Sequence, residues 1–476
     1  TSVIQPYAYF PQFQPTPSET TQAWAGNLKK YKVAGGLLKD KGDTSLFSSA
    51  GVLNAANEDL WTQNYATGTT LTATQQQLKI LGGLLSRINL KKTDNNFNRK
   101  VYTNNGGNVT EVTETYIKTN TATRGYLLGL MGYDVTPTQA TTLTNQTDLS
   151  TFETSPELRQ MGAIMHSTPV LLTQSGSITY ADNTLDTTNR DDYILVGTTQ
   201  GVLHIVKAGT ASDVTANNNT AGNEVFAFVP EEMYSSQPTA LLNPKNTPEG
   251  GMNELFYGVD GQWVAHTEYV YAAGTATTQN PMPEGTFKVY DSDNKMGKQW
   301  VYGGLRMGGR SYYALDLTRL TAATNNAPTV KFRINPEQNR VDGFDIPAGD
   351  TRYINIGKMG QSWSKPTIAN VQWKGKRRLV MFVGGGYDAT GGSDGKGYET
   401  FNYNQTNGVG AGVYMFDANT GEFLWSTYDA VKTPAVRGQT LIGDGDHLKY
   451  SVVSQIKVID REGDGDVDHL YFGDLG

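Results

Sequence analysis

The stretch Ser311-Tyr312-Tyr313-Ala314-Leu315-Asp316 decides the fold. It is a short apolar run closed by an aspartate, and it returns as Val413-Tyr414-Met415-Phe416-Asp417. Val202-Leu203-His204-Ile205-Val206 is a looser third copy, and His166-Ser167-Thr168-Pro169 resembles Trp363-Ser364-Lys365-Pro366. Other apolar runs bounded by Gly or Pro lie around them, among them Ile194-Leu195-Val196-Gly197, Val225-Phe226-Ala227-Phe228-Val229-Pro230, Trp300-Val301-Tyr302-Gly303-Gly304-Leu305 and Arg378-Leu379-Val380-Met381-Phe382-Val383-Gly384. Runs of this length closed by turn residues read as strands. A repeated unit of strand, Gly turn, strand, Asp turn is the pattern of β-propeller blades, and at roughly 40–45 residues per blade residues 160–476 have room for about seven. Insertions at 275–297 and 389–407 make the count irregular. The expected fold is all-β, a modified β-propeller.

Outward from that core, residues 1–23 are rich in Pro, Gln and Thr, lack a period, and are expected to be extended. Residues 24–159 form an N-terminal segment of mixed character. Its strand Trp24–Val33 has a blade-like pattern far from the others. A propeller must close its ring, so this strand is expected to pair into the last blade. A helix is expected at 46–63 through Leu53, Ala56 and Leu60. A stronger one is expected at 73–90, where Leu78, Leu81 and Leu85 recur at helical spacing beside Leu84 and Ile88; such a stripe reads as core packing. Residues 93–123 are polar, and Asn105-Gly106 predicts a hairpin.

Charged residues make up 18% of the chain while Gly reaches 53 and Tyr 26, a balance that favours many short strands over a helical bundle. No Cys is present, which excludes disulfides, thiolate metal sites and thiol catalysis. The net charge of −7 argues against nucleic-acid binding. No window is apolar enough for a transmembrane helix. The chain opens on Thr1-Ser2-Val3-Ile4-Gln5, with neither signal peptide nor initiator Met, and stops at Phe472-Gly473-Asp474-Leu475-Gly476 in what reads as the middle of a hairpin. It is expected to be trimmed at both ends.

The chemistry concentrates in one loop. In Ile459-Asp460-Arg461-Glu462-Gly463-Asp464-Gly465-Asp466-Val467-Asp468-His469, carboxylates occupy every second position: Asp460, Glu462, Asp464, Asp466 and Asp468. Alone, such a run repels itself. A hard divalent cation removes the penalty, and the spacing matches the first nine positions of an EF-hand loop, with Gly465 at the sharp turn. Calcium suits it better than magnesium, which demands tight octahedral geometry and keeps several waters. Position 12 is Tyr471 instead of a bidentate Glu, and the flanks alternate like strands. One strand–loop–strand calcium site is therefore expected, with Val467 pointing inward as an anchor. Two weaker acidic groups, Asp182, Asp186, Asp191 and Asp192, and Asp444 with Asp446, read as ordinary turns.

Nothing reads as a catalytic centre. The five His (166, 204, 266, 447 and 469) form no zinc spacing, and no Gly-x-Ser-x-Gly elbow occurs. Gly303-Gly304-Leu305-Arg306-Met307-Gly308-Gly309-Arg310 lacks the Lys-Ser/Thr of a phosphate cradle and precedes a strand, so it reads as a turn. His166 and His204 read as core or turn residues.

Several segments, taken in order, resemble one family. Trp24-Ala25-Gly26-Asn27-Leu28-Lys29-Lys30-Tyr31, Gly162-Ala163-Ile164-Met165-His166-Ser167-Thr168-Pro169-Val170 and Gly197-Thr198-Thr199-Gln200-Gly201-Val202-Leu203-His204 are similar to segments of the type IV pilus tip-associated adhesins, PilC/PilY. So are Asn223–Pro230, Gly303–Arg310 with Tyr313–Asp316, and Val458–Gly476. The resemblance implies a modified propeller with a calcium site in one blade, and a surface-exposed protein at the pilus tip of a Gram-negative bacterium, periplasmic during assembly. It implies minor pilins as partners, a calcium-linked balance of pilus extension and retraction in twitching motility, and adhesion to host-cell or abiotic surfaces. Ala163 and Glu462 depart from the family pattern, which has Asp at the first and Asp or Asn at the second. The family's von Willebrand A-like domain is not recognisable. Two other classes fit the propeller pattern: a quinoprotein dehydrogenase, which typically holds its quinone beside a Cys pair that this chain lacks, and a glycan- or host-binding propeller unrelated to pili.

Overall fold

The computed structural model describes residues 6–15, 23–54, 57–177, 179–181, 184–186, 190–244, 255–273, 285–390, 405, 407–427 and 450–475. They divide into two compact units. The first comprises Thr1–Thr103, Glu111–Phe256 and Tyr269–Gly297; the second Asn104–Thr110, Tyr257–Glu268 and Lys298–Gly476.

In the first unit, β1 (Tyr7–Gln14), β2 (Ala25–Ala34) and β3 (Leu37–Lys39) form a three-stranded antiparallel sheet. The chain continues through β4 (Val101–Asn105), β5 (Asn108–Glu111, all but its last residue assigned to the second unit), β6 (Val170–Ser177), β7 (Asp191–Gly197), β8 (Leu203–Lys207) and β9 (Glu224–Val229). In the second unit come β10 (Trp263–Glu268), β13 (Lys298–Gly304), β14 (Tyr312–Asp316), β15 (Thr329–Asn335), β16 (Arg340–Asp342), β17 (Thr367–Trp373), β18 (Lys376–Gly384), β19 (Val413–Asp417) and β20 (Phe423–Ser426). Two further strands of the first unit, β11 (Val270–Ala273) and β12 (Gly285–Lys288), intervene in sequence. The large sheet of the first unit runs β11-β12-β6-β7-β8-β9-β4, and the second unit carries the sheets β10-β13-β14-β15-β16 and β17-β18-β19-β20.

The internal similarity has a structural counterpart. Strands β6-β7-β8-β9, β10-β13-β14-β15 and β17-β18-β19-β20 are antiparallel meanders of four. The similar segments at 203–206, 312–316 and 413–417 are each the third strand of one of them. The Ser-x-Pro segments stand before first strands and do the same work in both. Ser167 Oγ accepts the N–H of Gly197 at 3.2 Å, and Ser364 Oγ accepts that of Gly384 at 2.9 Å. Each serine thus pins the last residue of the second strand. Apolar runs without alternation also find their reason. Met381 and Val383 of β18 enter one buried cluster with Tyr302, Tyr312, Tyr414 and Phe416, while Val380 and Phe382 enter another with Val413 and Met415. A strand covered on both faces needs no polar side.

Three expectations are corrected. Residues 46–63 are not helical: Phe47 and Leu53 form an isolated bridge, and Asn54 and Asn57 donate side-chain hydrogen bonds to the carbonyls of Ser45 and Leu46. Such amide-to-backbone bonds compete with a helix. Ala56 lies outside the described residues. The 73–90 helix is divided. It runs as α1 (Ala73–Leu81), capped by Thr72, and stops where Gly82 and Gly83 take φ of 60° and 62°. Residues Leu84–Arg87 continue as a 3₁₀ turn, and the buried side chains, Leu84 and Ile88, lie beyond the break. Finally, β2 pairs with β1 and β3, and its start bridges to Gly162, with no pairing to the last strands among the described residues. The polar N-terminal stretch supplies the missing partner as β1. No described sheet closes on itself. The hairpin expected at Asn105-Gly106 is β4–β5.

Candidate functional site

The acidic loop joins β21 (Lys457–Ile459) to β22 (His469–Tyr471), which pair antiparallel with Val458 opposite Leu470. The flanks are strands, as expected. Gly463 and Gly465 take φ of 74° and 93°, a region that favours glycine. The chain winds around Asp460. Its carboxylate accepts the N–H groups of Gly463 at 2.6 Å, Asp464 at 3.2 Å and Gly465 at 2.7 Å. Asp464 Oδ1 accepts the N–H of Asp466 at 2.9 Å. Asp468 accepts the N–H of Arg461 at 3.3 Å, and the His469 ring bonded to it holds its carboxyl below the usual carboxylate range. Glu462 is exposed.

Asp466 is the buried member, 7% exposed. Its Oδ2 accepts from Gln372 Nε2 at 2.7 Å, and its Oδ1 lies 2.9 Å from Arg377 Nε with no donor aligned on it. Arg377 Nη2 also donates to the Gly465 carbonyl at 3.2 Å. Gln372 and Arg377 stand opposite each other in the β17–β18 hairpin, which places both on one face. The Val467 N–H donates to Asn370 O at 2.8 Å, and the Val467 side chain packs against the cluster of Val380 and Phe382. The inward anchor is therefore present. Arg377 and Gln372 carry no sequence signal, because their relation to the loop depends on how β17–β18 docks.

A hard cation fits this donor set in kind: five carboxylates and turn carbonyls, all oxygen, with one buried oxygen, Asp466 Oδ1, that receives no aligned hydrogen bond. Among the described residues no three His, Asp or Glu side chains converge as a metal cluster. The carboxylates instead serve the loop's own N–H groups, Gln372 and Arg377.

Asp182, Asp444 and Asp446 lie outside the described residues, as does the side chain of Asp186. Asp191 and Asp192 begin β7. Asp192 accepts from Thr173 Oγ1 at 2.6 Å and pairs with Arg190 at 3.3 Å, and burial pushes the Asp191 carboxyl up. In the Gly303–Arg310 stretch the two leading glycines end β13, and Leu305–Arg310 lies in the turn that leads to β14.

His204 is a core residue, as its position in an apolar run implies. Its Nδ1 lies 2.6 Å from Glu224 Oε2, and Arg99 holds the other carboxylate oxygen at 2.7 Å. Nδ1 therefore carries the proton and Nε2, buried without a partner, is bare. Burial opposes ionisation of Glu224, but Arg99 and His204 outweigh it and bring its carboxyl down to about 2. All three side chains are sealed from solvent, so the trio holds the sheet together and has no access to a substrate.

No helix of the described residues is long and apolar enough to cross a membrane. No family model matches the chain. It is 23% identical to a type IV pilus biogenesis factor PilY1 homolog of Xylella fastidiosa strain Temecula1, an alignment that covers 98% of this chain and 26% of that protein. The chain thus spans about a quarter of that relative's length. A structure comparison finds the crystal structure of the Pseudomonas aeruginosa PilY1 C-terminal domain at 20% identity, covering 60% of this chain and 38% of that one with a TM-score of 0.30. The sequence relation runs over nearly the whole chain, in accord with motifs that run in family order, and makes the chain similar to the PilY1 type IV pilus biogenesis factors.

Proposed function

We propose that this chain is a calcium-binding, non-enzymatic module of a type IV pilus biogenesis protein, working at the pilus tip with minor pilins. The observation that carries the pilus role is the relation to a pilus biogenesis factor over 98% of the chain. The three four-stranded meanders, with equivalent third strands and with serine pins in two of them, support reading them as blades of a modified propeller.

Calcium would be held by Asp460, Glu462, Asp464, Asp466 and Asp468, with turn carbonyls or water completing an oxygen shell. It supplies charge neutralisation and fixes the loop. The loop rests on the β17–β18 hairpin through Val467, Gln372 and Arg377. Ordering the loop therefore steadies a blade edge, and a ligand bound only by the folded state stabilises it by mass action. A blade stiffened in this way suits a tip that carries load as pili extend, retract and adhere.

The test uses Asp464→Ala with Asp468→Ala. Calorimetry is expected to show calcium binding to the parent chain and none to the double variant; equal affinity for both would sink the calcium assignment. Introduced into the full-length protein of a piliated strain, the same pair is expected to reduce twitching. Wild-type pili and motility after deletion of the whole segment would refute the pilus role.

A further inference from the structure

A separate cluster in the first unit is built from cations and amides. The 3₁₀ turn Leu84–Arg87 is clamped before it forms: Gly83 N–H donates to Asp59 Oδ1 at 2.8 Å, and Leu85 N–H donates to Asn27 Oδ1 at 3.0 Å. This fixes Arg87, which is 6% exposed. One of its terminal nitrogens donates to the carbonyl of Asn219. Its Nε is buried and has no hydrogen-bond partner. Arg159 straddles the same turn, with Nη1 donating to Leu85 O at 2.9 Å and Ile88 O at 2.7 Å. Both guanidinium groups line a cavity of about 150 Å³ with Gln63, Tyr65, Asn89 and Asn223, and no carboxylate lines it.

Burying a guanidinium nitrogen without an acceptor is costly; Arg159 has a carboxylate partner in Glu157 at 3.0 Å, whereas Arg87 Nε has none. An anion supplies the missing acceptor. The guanidinium fork matches planar or tetrahedral oxyanions, and the amides and phenol around it are further donors. Pockets for drug-sized ligands run to about 300–1,000 Å³; this one has room for a single head group. We propose that Arg87 and Arg159 form a binding site for a small oxyanion, a phosphate, sulfate or carboxylate group.

The experiment titrates the intact chain with inorganic phosphate, sulfate and acetate at constant ionic strength, by calorimetry and by thermal melting. At least one anion is expected to bind saturably and to raise Tm by about 1 °C or more near ten times its Kd. A preference for phosphate or sulfate assigns a tetrahedral ligand and a preference for acetate a carboxylate; either supports the site. Asn89 is exposed, so Asn89→Asp places a negative charge at the rim without disturbing the core. Asn89→Asp and Arg159→Gln are each expected to weaken binding at least tenfold, with the anion-free melting of Asn89→Asp no lower than the parent's. The proposal is overturned if none of the three anions saturates, if chloride at equal ionic strength gives the same rise, or if Asn89→Asp binds like the parent.

Discussion

Arg377 Nε stands 2.9 Å from Asp466 Oδ1, so a side chain of β18 already places a positive charge on the most buried carboxylate of the acidic loop. This tethered cation would compete with the calcium proposed for the loop. Arg377 is half exposed, with 53% of its side chain accessible, so the competition is screened and worth about 1 kcal/mol or less. Arg377→Gln is expected to tighten calcium binding about three- to fivefold at low salt, with the gain shrinking near physiological ionic strength. Calorimetric titration at two salt concentrations decides it; unchanged or weaker binding in both would count against competition.

Asp460 organises the loop by accepting three main-chain N–H groups. Asp460→Ala should free the amides of Gly463, Asp464 and Gly465 while leaving the rest of the second unit intact. Hydrogen exchange is the measurement, and faster exchange confined to those amides is the expected result. Protection equal to the parent's would show that the loop is held elsewhere.

The serine pins predict a graded loss. Ser364 Oγ accepts from Gly384 and donates to Ser454 O at 2.7 Å, whereas Ser167 is seen to accept from Gly197. Replacing a buried serine by alanine leaves a main-chain N–H without its acceptor, at about 1–3 kcal/mol. Ser364→Ala should cost more than Ser167→Ala in urea unfolding. The reverse order would contradict the role assigned to the repeat.

Acid sensitivity follows from the buried trio. Burial holds the His204 imidazole below its ordinary value. Its folded pKa is thus depressed, so its contribution is present above the unfolded value of about 6.5 and is lost as pH falls. Glu224 is depressed as well, to about 2, so its contribution is lost lower, between about pH 4.5 and that value. As pH falls from 7 toward 5 the first unit should lose stability through His204. Urea midpoints of the parent and of His204→Gln across this range test it: the parent should slope and the variant should be flat.

Much of this was legible from local pattern. The apolar runs mark strands because a segment of that length closed by Gly or Asp has few other uses, and 203–206, 312–316 and 413–417 all proved to be third strands of meanders. Gly465 could be assigned to the sharp turn because its neighbours are acidic at every second position. The helical reading of 46–63 failed because Asn54 and Asn57 bond to nearby carbonyls, an effect that periodicity does not register. The reading of 73–90 ran past Gly82 and Gly83 because the leucine spacing continues across them.

The sequence by itself determined the strand segments, the repeat among them and the alternating carboxylates of the acidic loop. Each of these depends on neighbours a few residues apart. Tertiary structure alone decided that Gln372 and Arg377 meet Asp466, that β1 rather than a late strand pairs with β2, and that Arg87 and Arg159 share one cavity. The first two relations depend on strand register, where a one-residue slip would send each side chain to the opposite face, and the last depends on how the turn at Leu84–Arg87 packs against the segment that carries Arg159.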